Sequence, residues 1–337
     1  MKDFEKWYDN NYKKMLIAPI VLLLASFIFL SVFYFQTGDV ILKDVSLTGG
    51  TSISIFTSMS STELEDLLLN NLSDFEIKTI SDNSGRQLQL VITTPEENTE
   101  TLKSSLEEIL GEELSEENSS IETTSASLSN DFYKQLIVAV LLAFFWMAAV
   151  VFVIFAKGKK LKAKVIFINI LFGFFMGKFF LSINPIISGI IFIAFISYLI
   201  YLYIKNSVPA FAVMLSAFAG ITMTLAVVNI IGMKLSTAGI VAFLMLIGYS
   251  VDTDILLTTR LLRKRESINE ALLGAFKTGT TMTLTSITAV TTALIVVYSF
   301  GSVLNQIFII LLIGLTIDLF NTWVTNASIL KWHMEQQ

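Results

Sequence analysis

Apolar runs of about twenty residues recur near 16–36, 134–156, 165–182, 185–204, 208–229, 236–257, 280–299 and 303–326. Each is long enough to cross a hydrocarbon core about 30 Å thick as a helix. Inside lipid the backbone has no water to bond, so runs of this length fold as helices and leave room for few other architectures. Hydrophobic residues make up 54% of the 337 and charged residues only 15%, which excludes a freely soluble globular chain. The expected fold is a polytopic α-helical membrane protein of about eight spans. The first run is expected to remain as an anchor, because it is too long for a cleavable signal and Phe33-Tyr34-Phe35-Gln36 offers no small-residue cleavage pattern.

Short cytoplasmic segments retain positive charge. Lys2, Lys6, Lys13 and Lys14 precede the first span, Lys157, Lys159, Lys160, Lys162 and Lys164 follow the second, and Arg260, Arg263, Lys264 and Arg265 follow the sixth. With eight crossings all three groups fall on one side. The expected division is a cytoplasmic tail 1–15, a first span 16–36, an extracytoplasmic domain 37–131 and a second span 132–156. An inserted basic loop and hairpin 157–206, four helices in 207–330 and a cytoplasmic tail 331–337 complete it. Segment 37–131 has only Lys43, Lys78, Arg86 and Lys103 against many acids, which accounts for the net charge of −5. The acidity belongs to one exported domain and points to no nucleic acid. Cysteine is absent and His333 is the single histidine, so neither disulfides, a metal centre nor a cofactor is expected.

Within the exported segment, Val45–Phe56 reads as a strand entered through Gly49-Gly50, Ser61–Asn71 as a helix opened by Ser61 or Thr62, and Glu76–Ser81 with Gln87–Thr93 as a hairpin around Asp82-Asn83-Ser84-Gly85. A helix at about 96–111, opened by Thr94-Pro95, and a strand near 118–127 follow. Strand, helix, strand, strand, helix, strand is the ferredoxin-like α+β order. Asn71-Leu-Ser73 and Asn118-Ser-Ser120 match a short glycosylation pattern that is often fortuitous. No nucleophile with a base and no phosphate loop accompanies these elements, so no enzymatic reaction is expected.

Gly248-Tyr-Ser-Val-Asp252-Thr-Asp254-Ile-Leu-Leu-Thr-Thr-Arg260 sets two carboxylates inside an apolar run. Each costs roughly 2.5–3.5 kcal/mol at mid-span on insertion scales, so both need compensation by protein, water or an ion. Residues two apart on a helix differ by about 200°, so Asp252 and Asp254 meet different neighbours. Asp254 aligns with Ser250 and Thr258, and Asp252 with Gly248 and Thr259. Counting from Arg260, the acids lie roughly 9–12 Å inside the interface. In the next span Thr281, Thr285, Thr288 and Thr292 form a hydroxyl stripe. It either carries water to the acids or bonds its own helix and neighbouring spans. Asp318, with Asn321 and Asn326, either joins this polar network or makes a structural contact.

Leu47-Thr-Gly49-Gly50-Thr51, Ser207-Val-Pro-Ala210, the 248–260 motif and Asp318-Leu-Phe-Asn-Thr-Trp323 together resemble the SecF family of protein-export membrane subunits, in particular its archaeal form. The resemblance covers nearly all of the chain except roughly 157–206. It implies an RND-type half bundle, six helices plus one external domain, whose other half SecD supplies. Lys157–Lys164 and two further apolar runs are added to that plan, read as a hairpin at the bundle's edge with Gly173 and Gly177 as a small-residue contact face; a re-entrant helix pair is the other topology. By similarity the partners are SecD, the SecY channel, the translocating preprotein and the lipid bilayer, and mid-membrane acids couple proton flow to export. Asp252, Asp254 and Asp318 are then the ion-coupling candidates, with Thr253. Bacterial relatives carry the acid at the position of Thr253 and an arginine at that of Thr281. Three functions compete: a proton-coupled export subunit, a passive scaffold of the channel, and an RND-type exporter of small molecules or lipids.

Overall fold

A computed structural model of the chain describes every residue except Met1, 73–74, 82–85, 96–97, 116–117, 264–266, 299–302 and Gln337. The expected Asp82–Gly85 turn, Ser73, Lys264 and Arg265 therefore lie outside the described residues. In chain order the elements begin with α1 (Lys2–Met15), α2 (Ile17–Thr37), α3 (Val45–Thr48), β1 (Gly50–Ile55), α4 (Ser61–Leu68), β2 (Glu76–Ser81), β3 (Gln87–Thr94), α5 (Thr99–Leu110) and β4 (Ser119–Thr124). The helices α6 (Ala126–Phe155), α7 (Lys159–Lys178), α8 (Pro185–Asn206), α9 (Val208–Ile230), α10 (Thr237–Leu262), α11 (Ile268–Val297) and α12 (Val303–Phe320) follow. A π-helical turn, Asn321–Asn326, joins α12 to α13 (Ala327–Glu335).

The four strands pair in the order β2-β3-β1-β4, every pair antiparallel, which is the ferredoxin-like sheet. Ile53, Ile55, Leu90 and Ile92 alternate onto one face of it, where Leu64 and Leu68 of α4 and Leu102 and Leu106 of α5 cover them. The strand expected from Val45 begins only at Gly50, because the Asp44 carboxylate accepts from the Val45 N–H at 2.6 Å and its carbonyl from Leu47 and Thr48, winding α3 first. The cap of α4 is Ser60 rather than Ser61 or Thr62, accepting from the Glu63 N–H.

Gly49 and Gly50 attach this domain to the membrane bundle. Gly49 has φ +83°, and a Cβ there would lie 2.4 Å from Ala126 Cα at the start of α6; a Cβ on Gly50, φ +147°, would lie 2.2 Å from the Thr94 carbonyl. Thr51 fixes the strand beyond them, with its hydroxyl 2.6 Å from that of Thr99 and 3.0 Å from that of Thr123.

Among the described residues, seven helices are long and apolar enough to cross a membrane, where the sequence suggests eight. The run at 165–182 falls short because α7 opens on Lys159, Lys160, Lys162 and Lys164 and ends at Lys178. Its apolar part covers only about 20 Å. α7 packs antiparallel to α8: Lys164 lies over Tyr198, Phe172 stacks on Phe195 at 3.7 Å, and Phe180 meets Phe192. Phe145 of α6 meets Phe172 edge-on at 4.7 Å, fastening the hairpin to the bundle. Gly173 faces Trp146 and Leu142 of α6, whereas Gly177 faces open space.

At the other end, Lys331 of α13 is 2% exposed, bonded to the Asp9 carboxylate of α1 and the Asn269 side chain of α11, under the rings of Tyr8 and Tyr12. Removing the anion strands a buried cation, whereas removing the cation leaves a carboxylate that is 43% exposed. Asp9→Ala is therefore expected to cost more than Lys331→Met, by about 1–3 kcal/mol. Thermal unfolding of the purified variants checks the order, and equal losses would remove the claim that Lys331 is the vulnerable partner.

Candidate ion-coupling site in the membrane

α10 starts at Ser236, whose hydroxyl accepts from the Gly239 N–H, and runs unbroken to Leu262. Ser250, Asp254 and Thr258 lie on its inner face, 2%, 0% and 0% exposed. Ser250 donates to Asp318 Oδ1, and the Thr258 hydroxyl donates back to the Asp254 carbonyl at 2.7 Å. Asp252 points the other way and is exposed on the open side of the chain, with Val241, Met245, Gly248 and Tyr249. The 200° separation of the two acids thus divides them between the interior and an uncovered face.

The last span contributes the other half. Asp318, Asn321, Thr322, Thr325 and Asn326 are all buried, and the last four lie in the π turn. A π turn takes one residue more than an α turn and is common at functional sites. Here it sets Asn326 Nδ2 2.8 Å from Asp254 Oδ1. Asn321 accepts from the Thr325 hydroxyl at 3.1 Å and donates to Met223 Sδ of α9. The Ser216 side chain of α9 and the Thr322 side chain also approach the Asp254 carboxylate. Asn326 Oδ1, on the far side of its amide, remains without a hydrogen bond.

Thr253 is buried on a third face, where a methyl group at Gly279 of α11 would come within 3.0 Å of its Cγ2 and 2.8 Å of Trp323. Trp323 packs edge-on against Phe276 at 4.9 Å. The threonine stripe of α11 is elsewhere. Thr281, Thr285, Thr288 and Thr292 are all exposed, and each donates to a carbonyl of its own helix, at 2.7, 2.6, 2.8 and 2.8 Å respectively. Of the two readings the sequence leaves open, these bonds match the self-bonding one. Gly49, Gly50 and Thr51 lie at the domain joint, far along the chain from the acids. Thr322 is legible as the residue one turn after Asp318, but Ser216 carries no sequence signal beyond being polar in an apolar helix.

The acids reach the ferredoxin-like domain through one loop. Leu235, between α9 and α10, accepts from the Asp44 N–H at 2.9 Å and donates to the Leu42 carbonyl at 2.6 Å. Gln306 of α12 accepts from the Ser236 N–H at 3.0 Å and donates to the Lys234 carbonyl at 2.5 Å. Lys234 also pairs with Glu76 of β2 at 3.5 Å. Both acid-bearing helices thus end on a loop bonded to the domain's base.

A bundle of apolar helices carrying one ferredoxin-like domain is the architecture of an RND-like membrane protein. Its fold matches the crystal structure of SecDF, a translocon-associated membrane protein from Thermus thermophilus, with a TM-score of 0.59 at 13% identity, over 97% of this chain but 38% of that one. Residues 178–336 match the family described as protein export membrane protein SecD/SecF, C-terminal. The protein-export membrane protein SecF of Methanocaldococcus jannaschii is 34% identical over 97% of each chain. That of Methanolacinia petrolearia is 33% identical over 98% of this chain and 97% of its own. The chain belongs to the SecF family of protein-export membrane proteins.

Proposed function

We propose that the chain is the SecF-like subunit of a SecD–SecF complex that assists Sec-dependent translocation across the cytoplasmic membrane, driven by proton movement through Asp254 and Asp318. One observation carries the reading: two buried carboxylates on different helices, one held by Asn326 of a π turn, on helices whose outer ends both bond the loop beneath the external domain. A proton taken up by Asp254 cancels its charge and weakens the Asn326 contact. The π turn then relaxes toward α-helical register, and the shift of α10 against α12 is passed to the domain through Leu235 and Gln306. The orientation, with both termini cytoplasmic and 37–131 outside, follows from the lysine and arginine distribution when α7, antiparallel to α8, is counted as a pass despite its short apolar part. Export of a secreted reporter, measured with and without this chain before and after collapse of the proton gradient, tests the proposal. A subunit whose contribution ignores the gradient is the scaffold instead.

SecD is placed on the open face. The second half of α11, beyond Thr283, has no buried residue, and an intramembrane face carrying Asp252 and four threonines suits a neighbouring helix better than lipid. Because the chain has no cysteine of its own, single cysteines at Met245 and Thr285 are expected to cross-link to SecD, while one at Ile190 of α8 is not. Cross-linking at Ile190 alone would move the interface to the opposite side.

A further inference from the structure

The lysines at one end of the α7–α8 hairpin have no counter-charge. Lys157, Lys159, Lys160, Lys162 and Lys164 surround the start of α7, and antiparallel packing brings Lys205, in the last turn of α8, to the same end. All but Lys162 are exposed. No aspartate or glutamate occurs between Asp131 and Asp252, and none of these lysines is in an ion pair among the described residues. Orienting a span requires positive charge beside it, but not charge in register with an apolar stripe. On α7 the two are in register. Lys160, Lys164, Phe167, Leu171 and Phe174 follow at intervals of four, three, four and three, which sets them on one face of the helix, and every one is exposed. From Lys160 to Phe174 the stripe is about 21 Å long, which matches the depth of one leaflet with its headgroups, about 20–22 Å. Beside it, Lys164 Nζ lies 5.6 Å from the Tyr198 ring, and the Tyr201 hydroxyl accepts from Lys205 Nζ at 3.1 Å. Both tyrosines are exposed, as amphipathic rings at headgroup level are.

We infer that this end of the hairpin binds an anionic phospholipid, its phosphate held by Lys160 and Lys164 and its chains lying along Phe167, Leu171 and Phe174. Lys157, Lys159 and Lys205 add positive field around the headgroup. A lipid fits better than a soluble polyanion because cationic and apolar parts are continuous on one helix face. Nucleic acid or an acidic protein would use the lysines and leave the exposed phenylalanines without a partner. The apolar part of α7 is shorter than the hydrocarbon core, so a phosphate drawn to its first turns fixes the depth of that end. The inference goes beyond the export reading and does not rest on it, since a coupled subunit and a scaffold would both carry the site.

The test counts, by native mass spectrometry, the lipids that stay with the purified full-length chain when it is released from nanodiscs of phosphatidylglycerol mixed with phosphatidylcholine. Phosphatidylglycerol is expected to be retained in preference, less so as salt rises, and inorganic phosphate is expected not to displace it. The double variant Lys160→Gln with Lys164→Gln is expected to lower that retention about tenfold. Lys13→Gln with Lys14→Gln removes the same charge from α1 and is expected to leave retention unchanged. Phe167→Ala with Phe174→Ala is expected to weaken retention with every charge in place, which separates a lipid from free phosphate. If the lysine double variant fails to fold, Lys164→Gln alone and the salt series on the unaltered chain decide. Equal retention of the two lipids overturns the site, and so does equal loss from the two lysine pairs, which would mean a diffuse surface field. Displacement by polyuridylate together with indifference to the phenylalanine variants assigns the lysines to nucleic acid and overturns it as well. Reporter export under the proton gradient is read separately, so loss of lipid retention with gradient dependence intact leaves the export reading standing.

Discussion

Asp254→Asn is expected to abolish the gradient-dependent part of reporter export while leaving the chain in the membrane and bound to SecD. The substitution keeps the shape of the side chain and can still accept from Asn326, but it can neither ionise nor carry a proton. Asp252→Asn is expected to retain most of the gradient dependence, because Asp252 lies on the open face and touches none of the Asp254 partners. The contrast between adjacent acids of one motif is the informative result. A general loss of membrane stability would affect assembly and export together, whereas a coupling defect leaves co-purification with SecD intact. Equal loss from both variants would show that the motif acts through its total charge and that the Asp254–Asn326 contact is incidental.

Gly49→Ala carries the second large effect, and it acts far from the acids. The added methyl meets backbone atoms of Ser125 and Ala126 at 2.4–2.9 Å, which no side-chain rotation can relieve, and the residue is held at a positive φ. A cost of about 3 kcal/mol or more is expected. It should fall on the joint between β1 and α6 rather than on the sheet, whose core of Ile53, Leu90 and Ile92 lies on the far side of Thr51. Limited proteolysis of membranes opened on both sides would show it as faster cleavage of the ferredoxin-like domain with the bundle protected. Gly111→Ala is the control: it also has positive φ, +70°, but an added Cβ meets nothing within 4 Å. A comparable rise in cleavage for Gly111→Ala would assign the effect to backbone conformation alone.

Much of the architecture is local in origin and was therefore readable along the chain. Run length alone determined the spans, since a helix must be long enough for the hydrocarbon whatever surrounds it. α7 departs from that reading because its lysines occupy its first turns, which residue counts of the apolar run pass over. Alternation in Ile53 and Ile55 and four-residue spacing in Leu64–Leu68 and Leu102–Leu106 determined the ferredoxin-like order, because each element must turn one face to a shared core. The cost of a carboxylate in lipid singled out Asp252, Asp254 and Asp318. What the chain alone left open was which of them meet. That depends on how α9, α10 and the last span rotate against each other, and on a π turn whose extra residue turns Asn326 toward Asp254. The same packing left Asp252 on the surface, sent the α11 threonines back to their own carbonyls, and buried Lys331 against Asp9. Helix existence follows from sequence near at hand, whereas the pairing of polar groups across helices is a property of the assembled bundle. There a shift of one residue exchanges an inward side chain for an outward one.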